Sequence, residues 1–403
     1  MTSSATVAAG KHKLPPLLNI IALATFAASL STRSMDPLLP HIADDLSVTV
    51  ATAAGLSSVT AFSFAIVQPL IGAAADIFGK GRLMLVCLVL LGVSSIAGSF
   101  CTSFSALFVT RIFAGIASGG VFPVALGMAS DLVPVSQRQV AIGRTLAGSM
   151  SGNLLGASFS GVIGDLVGWR GVLIALGVLM VIASVAVGAG FRRSNAIATS
   201  RQMKFADLRH GYGQIFRNPN AKVCYSAVFV EGCCVLGLFP YVAAFLFELG
   251  ETKLSIAGIV IAGFAVGGLF YTMTVSRFLP RLGERGMMIV GGSLVATQIV
   301  AIGFGPDWRI QMLSFILMGW GFYMLHGCLQ VYASELSEEA RATALSLHSF
   351  FFFMGQTAGP IAYGLSLSAI GKLPTLTVSA AIILVLGFVC ARLLVGRAAT
   401  RAA

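Results

Sequence analysis

Charge is scarce in this chain of 403 residues: 15 acids and 26 bases make up only 10% of it, against 57% hydrophobic residues. So little polar surface cannot cover a water-soluble globule of this length. The apolar residues gather in runs of about 20, each long enough to cross roughly 30 Å of hydrocarbon as a helix. Alternating polarity over ~10-residue segments, the mark of a membrane barrel, is missing. Also missing are a phosphate-binding glycine loop, a metal-ligand spacing and any polar stretch long enough for a nucleotide domain. Those absences exclude an ATP-driven pump and soluble-enzyme chemistry, and leave no cofactor or metal to expect. Histidine is rare, and His12, His41 and His210 fall in terminal or loop segments. Cys87, Cys101, Cys224, Cys233, Cys234, Cys328 and Cys390 follow no disulfide or metal pattern and read as small core residues. The first apolar run follows Lys11-His12-Lys13 and leads into Arg33 and Asp36 without a small-residue cleavage pattern, so it is expected to stay as the first helix.

What is present is an all-α integral membrane pattern. Twelve transmembrane helices are expected over 16–37, 50–75, 82–101, 104–130, 139–164, 171–191, 221–248, 255–278, 287–305, 310–333, 342–367 and 374–395. The net charge of +11 belongs to topology rather than to nucleic acid. With both termini in the cytoplasm, 20 basic residues fall on the inner side and only Arg170, Lys253, Arg309 and Lys372 on the outer, which sets the orientation in a cell inner (plasma) membrane. Connections are short except for 192–220. That basic stretch reads as a cytoplasmic linker between an N-terminal six-helix bundle, 1–191, and a C-terminal one, 221–403. Within it Phe205, Leu208, Ile215 and Phe216 alternate with basic residues, as in an amphipathic segment lying on the inner leaflet.

An internal repeat supports that division. Gly79 matches Gly283 at an offset of 204, Ser130-Asp131-Leu132 matches Ser334-Glu335-Leu336 at 204, and Arg138 and Gly156 match Arg341 and Gly359 at 203. Four landmarks in one order at nearly the same offset describe two parallel copies of one unit. Between the second and third runs lies GAAADIFGKGR, 72–82, in which Gly72, Asp76, Gly79, Lys80 and Arg82 form a tight charged turn. With the twelve runs and the basic linker, this turn resembles the major facilitator superfamily over nearly the whole chain. Gly72, Asp76 and Gly79 fit the family's Gly-x-x-x-Asp-x-x-Gly-Arg-Lys signature, while Ile77 stands where a basic residue is common and Gly81 interrupts the basic pair. Arg111, with Gly115 and Gly119, resembles the family's helix 4 arginine motif. The fifth run, Gly148 to Gly161 with Trp169-Arg170 after it, resembles the glycine-rich motif of drug antiporters, although Ala157 replaces its proline and Gly359-Pro360 keeps the pair in the second half. The resemblance implies two pseudo-symmetric bundles rocking about a cavity lined mainly by helices 1, 4, 7 and 10, with Asp76 and Asp131 latching the cytoplasmic side.

Ionisable residues inside the apolar runs mark the candidate site, because each costs roughly 2.5–3.5 kcal/mol even on lenient insertion scales. Arg33 and Asp36 are i,i+3 on the first run, and Arg111 shares their depth by helical rise. The three are expected to cluster on an aqueous cavity. They form either an ion pair closing the outer gate, a proton-exchanging Asp36 balanced between burial and the arginines, or a grip on an anionic group. Glu231 is near the midplane of the seventh run with no basic neighbour in sequence, a lone carboxylate suited to proton coupling or cation binding, or one satisfied by hydroxyl or backbone groups. His326 and His348 fall in the inner third, as a proton relay or as packed neutral histidines. Gln68, Asn153, Tyr271, Gln330 and Gln356 are polar candidates for the cavity wall or for interhelical hydrogen bonds. The run Phe350 to Phe353 is expected mostly on lipid or packing neighbours, and Pro69, Pro123, Pro240 and Pro360 at kinks.

The function these features imply is proton-coupled efflux, by antiport, of a small organic or drug-like compound. Uptake of a small organic anion or metabolite is the alternative. A non-transporting membrane sensor or lipid-handling protein on the same scaffold is another. The expected partners are a small-molecule substrate, protons and the lipid bilayer, with a monomer sufficient.

Overall fold

The computed structural model describes residues 15–134, 137–194, 212–337 and 340–402, apart from the side chains of 73, 76, 193, 194 and 395–402. Among them there are helices and no strand, as a chain in hydrocarbon requires, since lipid offers no partner for backbone N–H and C=O groups. The helices are α1 (Leu17–Thr32), α2 (Leu39–Asp45), α3 (Val50–Val67), α4 (Ile71–Phe78), α5 (Lys80–Ser99), α6 (Phe104–Asp131), α7 (Arg138–Ser194), α8 (Pro219–Glu231), α9 (Val242–Phe247), α10 (Leu254–Gly303), α11 (Trp308–Ser334), α12 (Arg341–Ile370) and α13 (Lys372–Ala402). Among the described residues, nine helical runs are long and apolar enough to cross a membrane. Runs α7 and α10, of 57 and 50 residues, are about twice the length of one crossing. Each divides into two helices at a glycine with left-handed backbone, Gly168 (φ 71°) and Gly283 (φ 63°).

The repeat landmarks have matching structural jobs. Gly79 (φ 80°) and Gly283 carry the same break, as do Gly168 and Gly371 (φ 80°). Arg138 donates from Nε to the Ser130 carbonyl at 3.2 Å, and Arg341 from Nε to the Ser334 carbonyl at 3.2 Å. Each supplies a partner for a carbonyl at the end of the preceding helix. Gly156 packs on the Leu30 carbonyl, and Gly359 on the Cys233 carbonyl, so closely that a Cβ would collide with the oxygen. Gly156→Ala is therefore expected to destabilise the fold by about 1–3 kcal/mol, read as a lower unfolding midpoint in detergent. Gly143→Ala, where a Cβ meets open space, is the control.

Three expected helices are broken. The first stops at Thr32, passes through Arg33 to Met35 without helical structure, and resumes as a 3₁₀ turn, Asp36–Leu38, before α2. Pro37 and Pro40 lack the N–H that a continuous helix would use there. The second is interrupted around Pro69 between α3 and α4. The seventh passes through a π turn, Gly232–Leu236, directly after Glu231, and a 3₁₀ turn, Phe239–Tyr241, at Pro240. Of the linker, 195–211 with Phe205 and Leu208 lies outside the described residues; Ile215 is buried and Phe216 exposed.

The two ends of the bundle differ. One carries Lys80, Arg82, Arg138 and Arg341 and is the basic end. At the far end the two halves of the chain are sealed together. The helix start at Leu254 follows Lys253, which offers no side-chain cap. Asp165 of α7 takes that place across the seam, its carboxylate accepting from Leu254 N at 2.7 Å and Ser255 N at 3.0 Å. Beside it Gly161 packs on the Leu254 carbonyl and Gly258 on the Ala157 carbonyl. A second seam joins α3 and α12, where Phe64 and Phe353 lie 4.0 Å apart and Ser346 Oγ donates to the Gln68 carbonyl at 2.8 Å.

Candidate functional site

On the basic side of the far-end seal a cavity of about 310 Å³ lies between the halves. Its wall is not confined to helices 1, 4, 7 and 10. Besides Arg33, Phe122, Phe239 and His326, it takes Gln68 just after α3, Asn153 from α7, Phe264 from α10 and Phe352 from α12. The breaks in the first and seventh helices bring Arg33 and Phe239 to the wall, each near a point where an intact helix would keep turning. Two of the four consecutive phenylalanines, Phe352 and Phe353, line the cavity as well. Phe351 instead stacks on Tyr225 at 5.1 Å.

The break after Thr32 positions Arg33. Its guanidinium lies 4.7 Å over the Phe239 ring, and Nη1 stands 3.6 Å from Asp36 Oδ2. That is an ion pair too long to be a hydrogen bond. Asp36 is 2% exposed. Its Oδ1 accepts from Ser57 Oγ at 2.9 Å, while Oδ2 has no hydrogen-bond partner among the described residues. Arg111 does not complete the expected three-membered cluster. It turns toward α5, donating from Nη2 to the Ser94 carbonyl at 3.0 Å, and meets Asp36 only as a fellow lining residue of a void of about 30 Å³. Gly98, which lacks the Cβ that would obstruct it, leaves room for that turn.

Glu231 is not alone. Its Oε2 lies 2.7 Å from His326 Nδ1, while Oε1 has no partner among the described residues. The carboxylate is 1% exposed, whereas the His326 side chain reaches the cavity at 14%. The His326 ring stacks on Phe322 at 5.0 Å and meets the His348 ring edge-on at 5.1 Å. His348 is buried, with Nε2 unpartnered among the described residues. The chain thus runs from cavity to His326, then to Glu231 on one side and His348 on the other. The π turn after Glu231 allows Gly232 to pack on the Phe352 carbonyl, and such turns recur at functional sites. Neither the pairing nor the turn is visible in local sequence, because the partners lie 95 residues apart.

The polar candidates divide. Gln68 donates from Nε2 to the Gly119 carbonyl at 3.0 Å and lines the cavity with Asn153. Gln356 is buried in the small void shared by Asp36 and Arg111, its Oε1 unpartnered among the described residues. Tyr271 stacks with Tyr323 at 6.2 Å behind the wall, and Gln330 is exposed, neither being a lining residue. Asp165 escaped the sequence reading; the clue available was a helix start preceded by lysine rather than by Ser, Thr, Asn or Asp.

At the basic end, Gly79 makes the expected turn, Gly72 is exposed, and Arg82 lines a cleft of about 790 Å³ together with Lys80 and Asp131. Lys80 Nζ pairs with Asp131 Oδ2 at 2.6 Å. The Asp76 side chain lies outside the described residues. With Lys80 and Asp131 32% and 46% exposed, Lys80→Met is expected to cost under about 1 kcal/mol of stability, checked by thermal unfolding.

These features can be set beside known proteins. A family model described as Major Facilitator Superfamily matches residues 21–301 and 252–403. Quinolone resistance protein NorA of Staphylococcus aureus (strain COL) is 27% identical over 337 residues, covering 81% of this chain and 84% of that one. The uncharacterized MFS-type transporter YybF of Bacillus subtilis (strain 168) is 24% identical over 359 residues, 86% of each. A chloramphenicol resistance protein of Streptomyces lividans is 26% identical over 312 residues, 76% of this chain and 77% of that one. Among solved structures, a bacterial homolog of the human lysosomal transporter Spinster, inward-facing and unoccupied, superposes with a TM-score of 0.76 at 16% identity, covering 93% and 96%. The nucleoside transporter NupG superposes at 0.73 with 14% identity, covering 94% and 98%.

Proposed function

The chain belongs to the Major Facilitator Superfamily, and from that premise we propose that it expels a small drug-like organic compound across the bacterial inner membrane in exchange for protons, by alternating access. The observation that carries this reading is the Glu231–His326 pair, a carboxylate sealed from solvent and bonded at 2.7 Å to an imidazole that reaches the cavity. A group held in the bundle at that cost is expected to move protons. Efflux is favoured by the resistance proteins NorA and the chloramphenicol resistance protein among the relatives. The basic end is taken as cytoplasmic by the positive-inside rule, so the cavity on that side of the seal would receive cargo from the cell interior. Residues 1–191 and 221–403 would rock against each other, with 192–220 as the tether. Arg33, Asp36, Glu231, His326 and His348 are assigned to proton coupling or cargo binding. Arg111 acts as a brace for α5, and Lys80 with Asp131 as a basic-end latch. One chain holds both halves, so a monomer suffices.

The test is flux in proteoliposomes with an imposed pH gradient, screened over aromatic antimicrobial compounds. Proton-driven movement of at least one is expected. Flux that ignores the gradient would overturn the coupling.

A further inference from the structure

We propose that the cavity takes a planar aromatic compound bearing a carboxylate or a similar oxyanion, with that group on the Arg33 guanidinium and the ring against an aromatic wall. The inference rests on the reading that this cavity is the cargo site. It takes up the grip on an anionic group that Arg33 suggests in the sequence, and not the cation binding that Glu231 suggests there.

The exposed charge decides the sign. Both acids at the cavity are closed off, the Asp36 and Glu231 side chains being 3% and 1% exposed, while Arg33 and His326 are 15% and 14% exposed. Arg33 and His326 line the cavity and, among the described residues, no acid does. A cationic cargo entering here meets a cation first.

The donors decide the group. A guanidinium has five N–H donors in a planar fork, and among the described residues the nearest acceptor to Arg33 is Asp36 Oδ2, at 3.6 Å. Its contacts are the 3.6 Å approach to Asp36 Oδ2 and the face of Phe239. Asp36 is engaged elsewhere by Ser57. The ring under Arg33 leaves the edge of the fork for a ligand, and a carboxylate matches that edge with two parallel charge-assisted bonds.

The wall decides the shape. From Phe239 the rings run on without a gap: Phe264 at 5.1 Å, Phe322 at 5.0 Å beyond it, His326 at 5.0 Å and nearly parallel, and Phe352 at 4.9 Å. Such a wall favours a flat π-system packed by offset or edge contacts, and about 310 Å³ accommodates a bicyclic ring.

The experiment is calorimetric titration of the purified full chain in detergent, without a pH gradient, using 2-naphthoate and methyl 2-naphthoate. The two share a ring and differ in the charge. The wild-type protein is expected to bind the acid about 10- to 100-fold more tightly, the worth of charge-assisted bonds to one group. Arg33→Gln is expected to bring the two ligands within about threefold of each other. Wild-type protein that binds neither ligand, or binds the ester as well as the acid, overturns the proposal, as does a preference that survives Arg33→Gln. Should Arg33→Gln not fold, the wild-type pair decides alone, and Arg33→Lys, which keeps charge and loses the fork, is expected to weaken the preference. Acid selectivity in detergent supports this site even where proteoliposomes show no proton-linked flux, so the two readings fail separately.

Discussion

Glu231→Gln is expected to lower proton-driven flux in proteoliposomes by on the order of 100-fold or more, the usual worth of a positioned proton-transfer group. Exchange of labelled for unlabelled cargo without a gradient is expected to persist. Glutamine keeps the size of the side chain and a hydrogen bond to His326, so the packing around the π turn has no reason to rearrange. What it removes is the single acid that joins the cavity-facing imidazole to the interior. Asp36→Asn is expected to have a smaller effect, because that carboxylate, held by Ser57 at one oxygen and 3.6 Å from Arg33 at the other, has no imidazole linking it to the cavity. Unchanged proton-linked flux in both variants would remove the coupling assignment.

The membrane class and the repeat were legible because both are written in local composition. Apolar runs of membrane length need no tertiary information. The matched Gly79 and Gly283, or Arg138 and Arg341, survive as residue identities because each does one backbone job that few side chains can do. The candidate site was legible as a set of residues and not as an arrangement. Counting along ideal helices placed Arg33, Asp36 and Arg111 at one depth, yet the first helix breaks at Arg33 and Arg111 swings to the Ser94 carbonyl. Helical rise fixes depth and says little about rotation once proline interrupts the hydrogen-bond ladder. The partner of Glu231 was hidden for a different reason. Histidine and carboxylate meet across two helices far apart in sequence, and apolar runs carry no hydrophobic stripe to reveal which face turns inward.

Gly258→Leu is expected to move the protein to a state open at the far end, by about 3 kcal/mol or roughly 100-fold in population. A Cβ at Gly258 already collides with the Ala157 carbonyl and one at Gly161 with the Leu254 carbonyl. At Gly156, inside one half, a larger side chain can only strain the fold. At Gly258 the clash lies across a seam between halves, and parting the seam relieves it. Asp165→Asn is expected to act in the same direction but more weakly, by about 0.5–2 kcal/mol, since one oxygen still caps Leu254 N or Ser255 N. Spin labels at Leu166→Cys and Thr252→Cys, both exposed beside the seal, report the separation. Gly258→Leu should replace the short distance with a longer one, and Asp165→Asn should show both. A short distance retained by well-folded Gly258→Leu would mean that the seam does not part, and with it alternating access about this cavity would have to be abandoned.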